Sequence, residues 1–214
     1  MPPHADYPNL IVFDHPLIQH KITVLRDEST GFRRFRALMG QIAGLMTFEL
    51  TRTFPAEPCR VRTPMQECEG VRIRAQITLV PVLRAGLGMT DGVLELMPEA
   101  RVGHIGLFRD ERTLQPVQYL SKLPANLDAG PVVLVDPMLA TGGSASKALT
   151  MLREAGATDL RMLCLVAVPE GVRVLAEDHP EVTIYAAALD DGLNDVGFIL
   201  PGLGDAGDRL FGTG

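Results

Sequence analysis

The sequence predicts an α/β fold: a doubly wound, mainly parallel sheet with helices on both faces. Three observations lead there. Five short apolar runs, at 77–83, 102–108, 132–135, 160–168 and 182–189, are continuous rather than alternating, as in strands covered on both sides. Segments with helical spacing lie between them, and strands alternating with helices imply parallel units. Three of the runs then break into polar turns at Arg84, Arg109 and Asp136, beyond the strand ends where open α/β sheets hold their ligands.

Taken in order, 15–26 and 31–51 read as helices. The second carries Phe35, Leu38, Met39, Ile42, Leu45, Met46 and Leu50 at helical spacing, a stripe for a core or a second subunit, and the four residues Asp27 to Thr30 offer caps for it. Residues 53–76, with Pro55, Pro58 and Pro64, suit irregular structure or an edge hairpin. The strand at 77–83 runs into Arg84-Ala-Gly-Leu-Gly88 and a helix over 88–97. The strand at 102–108 ends on Phe108-Arg109-Asp110-Glu111, and 109–124 is the expected lid. The strand at 132–135 meets Asp136, a glycine-bearing loop and a helix over 144–154, with Ala145, Ala148, Leu149 and Leu152 on one face and Gly156 as its stop. Cys164, inside the run at 160–168, reads as a small core residue. No helical or strand period follows Leu200, and Gly197 to Asp208 reads as a binding loop shaped by Pro201, with Ile199 and Leu200 as an apolar wall. The whole, 1–214, is expected to form one domain, with the N-terminal helical segment at 15–51 and the C-terminal loop at 190–212 as parts of it.

Composition narrows the function. A net charge of −6 speaks against general nucleic-acid binding, since phosphate backbones demand a positive footprint; a small anionic ligand needs only a few arginines. No apolar run is long enough to span a membrane, and three cysteines without a Cys-x-x-Cys pair fit a reduced, cytoplasmic protein. The five histidines show no metal spacing, and no Ser, Cys or His constellation for covalent catalysis is evident, so the chemistry is expected to rest on positioning and charge.

The most informative stretch is Val132-Val-Leu-Val-Asp136-Pro-Met-Leu-Ala-Thr141-Gly-Gly-Ser144. A buried strand ending on an acid, then glycines and hydroxyls at a helix start, makes a concave set of N–H groups suited to a phosphate. It is neither a P-loop nor the Gly-x-Gly-x-x-Gly dinucleotide turn. Asp136 alone would equally suit a strand-end cap. Arg84 alone is a surface ion pair as readily as an anion clamp, and Arg109 beside Asp110 and Glu111 suits a solvated charge cluster or a second clamp. Two phosphate-like turns at neighbouring strand ends together imply a ligand with two phosphate-bearing groups.

The runs Leu-Arg-Ala-Gly-Leu-Gly-Met (83–89), Asp-Pro-Met-Leu-Ala-Thr-Gly-Gly-Ser (136–144), Pro-Glu-Gly (169–171) and Pro-Gly-Leu-Gly-Asp-Ala-Gly-Asp (201–208) resemble those of the uracil phosphoribosyltransferases, of the type I phosphoribosyltransferase fold, from about His15 to Gly212. The resemblance implies a pentosyltransferase (EC 2.4.2.9) that joins uracil to the phosphoribosyl group of phosphoribosyl diphosphate, giving UMP in pyrimidine salvage. It implies that Asp136, Pro137, Met138, Leu139, Ala140, Thr141, Gly142, Gly143 and Ser144 hold the sugar and its 5-phosphate, and that Arg84 and Arg109 bind the diphosphate. Ile199, Gly204, Asp205 and Ala206 would read uracil, with Asp205 also near the diphosphate and Mg²⁺. Arg84, Arg109 and Asp136 are the expected catalytic residues. Mg²⁺, held mainly through the substrate, a homo-oligomer (dimer or tetramer) and a GTP activator are further implied. Where many relatives of the wider fold carry two adjacent acids, Pro137 follows the single Asp136, as in the uracil branch. Rival readings are a phosphoribosyltransferase for another base, or a non-catalytic nucleotide sensor that binds RNA or a protein partner.

Overall fold

The computed structural model describes residues 1–109 and 116–213, and of Arg109 only the backbone. The expected parallel sheet is its centre. In chain order the strands are β1 (Leu10–Val12), β2 (Ala56–Arg62), β3 (Glu67–Ile73), β4 (Thr78–Leu83), β5 (Arg101–Val102), β6 (His104–Arg109), β7 (Pro116–Lys122), β8 (Val132–Val135), β9 (Met138–Leu139), β10 (Leu160–Ala167), β11 (Thr183–Leu189), β12 (Gly192–Leu193) and β13 (Ile199–Leu200). The helices are α1 (Pro16–Arg26), α2 (Phe32–Leu50), α3 (Leu87–Leu96), α4 (Gly143–Glu154), α5 (Pro169–Asp178) and α6 (Ala206–Phe211). The main sheet runs β1-β11-β10-β8-β4-β6-β7, parallel except for the antiparallel β6–β7 edge.

Alternation along the strands divides the core in two. Val132 and Leu134 of β8 join Val80, Met162, Cys164 and Ile184 beneath α4 and α5. Val133 and Val135 join Leu79, Leu163 and Tyr185 against α1, α2 and α3. Both faces being covered, nearly every position of these strands past the first residue or two is apolar, which is why the runs read as continuous. The stripe on α2 lies in this core: Phe35, Met39, Ile42 and Met46 have no exposed surface. Cys164 is equally buried, and all three cysteines are free thiols.

Several elements differ from expectation. The four residues Asp27 to Thr30 do not cap α2, whose N-cap is Gly31 with no side-chain bond. They close the turn instead: Asp27 accepts from the Ser29 N–H and hydroxyl, and the Thr30 hydroxyl donates to the Val24 carbonyl. Residues 53–76 settle as a hairpin, β2–β3, separate from the main sheet, with Arg62 and Glu67 opposite one another and Arg60 opposite Glu69. Within the expected lid, Pro116–Lys122 form a strand, β7, while 110–115 lie outside the described residues. The C-terminal loop contains α6, a helix too short to print a period on the sequence. Helix α5, opened by Pro169 at its first turn, also went unanticipated.

Helices α2 and α3 approach through glycines. A Cβ on Gly92 would run into the Gly40 carbonyl, and one on Gly44 would lie 3.0 Å from the Gly92 carbonyl oxygen. Gly88 leaves room for Leu210 of α6, so α2, α3 and α6 form one close-packed block behind the Arg84 turn. No helix among the described residues is long and apolar enough to cross a membrane.

Candidate active site

The turns singled out by sequence leave the sheet along one rim. Pro81 of β4 lies opposite Val135 of β8, and Val82 lies opposite Ile105 of β6. Asp136 and Arg84 therefore follow the carboxyl ends of β8 and β4, and the Arg109 backbone ends β6, the next strand of the sheet. The first two turns also touch, for a Cβ on Gly86 would meet the Val135 carbonyl oxygen.

Within the first loop the members are placed differently. Pro137 and Leu139 are buried, and their carbonyls accept from the N–H groups of Leu165, Val166 and Val168, so this part continues the sheet beside β10. Met138 is partly buried and packs on the core. Ala140, Thr141, Gly143 and Ser144 are partly exposed at the rim. Gly142 precedes α4 with φ of 81°, and a Cβ there would lie 2.8 Å from the Val174 Cβ. Only glycine suits both the backbone angle and the space. The N-cap of α4, Gly142, brings no side chain to the leading N–H groups, and the positive dipole end of the helix starts at this loop.

Asp136 is only partly accessible, and its Oδ1 accepts from the Met138 N–H at 3.3 Å. Burial raises its carboxyl to about 7, against the lowering effect of that N–H. The free site thus holds a carboxyl poised between its two forms at neutral pH. Burial, and secondarily the charge of Asp136, also pushes the neighbouring Cys164 thiol far up, leaving it an inert core group.

Arg84 is well exposed. Its Nη2 stands 3.5 Å from Asp208 Oδ1 and its guanidinium 5.6 Å from the Phe211 ring centre, loose contacts that leave the head open to an anion. They also bring the C-terminal loop to the rim, because Asp208 and Phe211 belong to α6. The backbone of Arg109 ends β6 opposite Pro116; its side chain lies outside the described residues.

In the C-terminal loop, Ile199 departs from the expected wall. Its side chain is 5% exposed and packs in the core with Leu203 and Ala206, leaving Leu200 as the exposed apolar residue. What Ile199 can offer a ligand is backbone. Gly204, at φ of 76°, and Asp205 are exposed, and Asp205 caps α6 by accepting from the Asp208 N–H at 2.9 Å. Three residues that sequence reasoning passed over hold this loop: Arg26, Asp190 and Arg209. Arg26 and Asp190 stand 164 residues apart, and no local pattern joins them. Among the described residues no group of three or more His, Cys, Asp or Glu gathers as a metal cage. Two open grooves of about 570 and 590 Å³ lie off the loop at 136–144, one by the ends of α2 and α3 and the other on the outer surface of the α2, α3 and α6 block, lined by Arg36, Gln41, Asp91 and Phe211. Convergence of turns, rather than cavity size, marks this site.

Comparison with known proteins agrees with the geometry. The family model for uracil phosphoribosyltransferase matches residues 12–213. A uracil phosphoribosyltransferase from Bacillus cytotoxicus is 55% identical over 205 residues, covering 95% of this chain and 98% of that one, and one from Bacillus thuringiensis matches equally. The chain belongs to the uracil phosphoribosyltransferase family. Among solved structures, the AQ2163 protein from Aquifex aeolicus superposes with a TM-score of 0.91 at 36% identity, covering 95% of this chain and 98% of that one. A hypoxanthine phosphoribosyltransferase from Trypanosoma cruzi, at a TM-score of 0.52 and 13% identity over 74% of this chain and 75% of that one, shares the fold.

Proposed function

We propose that this rim catalyses transfer of the phosphoribosyl group from phosphoribosyl diphosphate to N1 of uracil, releasing diphosphate and UMP. The observation that carries the reading is the meeting of Arg84 with α6, which sets the C-terminal loop beside the two phosphate-type turns. The N1–C1 bond forms as the C1–O bond to diphosphate breaks, and N1 gives up its proton. Asp136 faces the ribose hydroxyls, and the Ala140–Ser144 backbone with the dipole end of α4 takes the 5-phosphate. Pro137, Met138 and Leu139 hold that loop to β10. Arg84 and Arg109 meet the diphosphate and stabilise the negative charge that grows on it. Backbone groups of Ile199, Gly204, Asp205 and Ala206 face the amide edge of uracil. Reading by backbone N–H and C=O groups disfavours cytosine, which would leave them unpaired.

The carboxylates at this rim, Asp136 and Asp205, are hard oxygen donors of the kind Mg²⁺ accepts alongside substrate phosphates, and the set contains no competing soft ligand. Held there with the diphosphate, Mg²⁺ would supply charge neutralisation on the leaving group. The test is formation of labelled UMP from labelled uracil, with phosphoribosyl diphosphate and Mg²⁺ each present or withheld. Product without phosphoribosyl diphosphate, or none with both, defeats the reading. Xanthine, hypoxanthine and orotate in the same assay separate the rival bases. Added GTP tests the activation that family resemblance implies.

We assign the assembly to a homo-oligomer. Its support is not the α2 stripe, which is internal, but the apolar surface around the hairpin: Val71 (74% exposed), Met65 (91%), Ile73 and the nearby Phe48 and Leu96.

A further inference from the structure

We propose that Arg26, Asp190 and Arg209 are positioning residues that preset the base-reading loop before any ligand binds. The inference rests on the uracil-transfer reading of the site and concerns residues outside its ligand-facing set.

The geometry is a two-sided grip on one residue, Gly202, through the two peptide groups that flank its Cα. Asp190 is 7% exposed at the end of β11 and receives Arg26 bidentately, Nη2 to Oδ1 at 2.5 Å and Nη1 to Oδ2 at 2.7 Å. The same two side chains seize Gly202: its N–H donates to Asp190 Oδ2 at 2.8 Å, and its carbonyl accepts from Arg26 Nη1 at 2.6 Å. Gly202 sits at φ of 64°, and a Cβ there would strike the Ile199 carbonyl oxygen, so the chain doubles back tightly at this residue. Asp190 is itself pinned, its N–H donating to the Ala167 carbonyl of β10 at 2.8 Å. The grip thus runs from the middle of the sheet to the loop tip.

A second guanidinium takes the next residues. Arg209 donates to the Leu203 carbonyl at 2.8 Å and to the Asp27 carbonyl at 2.6 Å, and lies 4.4 Å over the Phe35 ring centre. Arg26 and the Asp27 carbonyl both belong to the turn that ends α1. One turn therefore anchors the carbonyls of Gly202 and Leu203 in succession, immediately before Gly204, Asp205 and Ala206. A site that reads a planar base by backbone groups has no side-chain rotamer with which to correct a misplaced loop. Its selectivity depends on how firmly the backbone is held beforehand. A buried bidentate ion pair whose remaining capacity is used on both backbone groups of one residue gives that firmness and direction.

The test is steady-state kinetics of Arg26→Lys, Asp190→Asn and Arg209→Lys, each with its melting temperature. Lysine keeps the charge of arginine but not the fork, and asparagine keeps the shape of aspartate but not both acceptors. KM for uracil is expected to rise about tenfold or more, with KM for phosphoribosyl diphosphate changed less than about twofold and uracil-over-cytosine preference reduced. Equal changes in the two KM values, or lower melting with unaltered constants, would show a merely structural bridge and overturn the proposal. Because removing one partner of a buried pair leaves an uncompensated charge, the wild-type enzyme supplies an independent measurement. Hydrogen exchange across 199–208 is expected to show protection of the Gly202 amide without ligands, little increased by uracil with phosphoribosyl diphosphate. A Gly202 amide that becomes protected only on binding overturns preorganisation even if no variant folds. Failure of wild-type enzyme to form UMP would instead strike the functional reading itself.

Discussion

Single side chains here show how one feature serves stability and another function. Arg84 is well exposed and only loosely paired, so the fold draws little from it. Arg84→Ala is expected to melt within about 1 kcal/mol of the parent, since exposed pairs contribute that little. Its turnover should fall roughly a hundredfold, the usual cost of deleting one charge-stabilising donor. Near-normal turnover in UMP assays would remove it from the diphosphate. Asp136 is the opposite case. Its folded carboxyl, near 7, lies well above the ordinary carboxylate value of 3.8. Between about pH 4 and 7 the folded protein keeps a proton that the unfolded chain releases, so the side chain costs stability as pH rises through that window. Above 7 the full penalty stands, on the order of 2–4 kcal/mol. Asp136→Asn is therefore expected to melt higher than the parent at pH 8, with the gap closing towards pH 4. Calorimetry should show phosphoribosyl diphosphate binding the variant at least tenfold more weakly. Equal melting at both pH values would contradict the buried-acid reading, and equal affinity the ribose role.

Helices and loops place these side chains by contact rather than by propensity. The glycines of α2 and α3 illustrate it: Gly92 meets the Gly40 backbone with no room for a methyl group, and α3 carries the Arg84 turn at its start. Gly92→Ala is expected to force the helices apart, costing about 1–3 kcal/mol as an overpacked core does. Since the Arg84 turn moves with α3, activity should drop by more than the unfolded fraction explains. A variant with normal melting and normal turnover would refute the close approach. At the α4–α5 joint, His179 is 2% exposed, with Nε2 3.0 Å from the Ser146 carbonyl oxygen and the Ser146 hydroxyl bound to Asp178. Burial, only partly opposed by the Ser146 carbonyl, holds its pKa below the ordinary 6.5. Stability from this joint is complete above 6.5 and declines as pH falls below it.

At the scale of the whole molecule, the hairpin β2–β3 stands apart from the main sheet and carries Val71 and Ile73 exposed. Val71→Asp with Ile73→Asp is expected to leave the chain folded and shift its sedimentation to a single chain; an unchanged profile would place the interface elsewhere. Legibility followed burial. The central strands and the helices α1 to α4 were readable because a covered strand or helix face writes its period directly into residue types, and the phosphate-type loop was readable because its glycines and hydroxyls lie in one run. The sequence alone settled a parallel α/β sheet, the turns at Arg84 and Asp136, and the resemblance that family comparison bears out. Helix α6 was too short to show a period, and the N-terminal turn gave its side chains to itself instead of capping α2. Only the tertiary structure decided that Ile199 faces inward, that Pro137 and Leu139 belong to the sheet, and that Arg26 reaches Asp190 and Gly202. The reason is physical: periodicity and turn chemistry act over a few residues, whereas hydrogen bonds between distant segments depend on the direction each chain takes when it leaves the sheet.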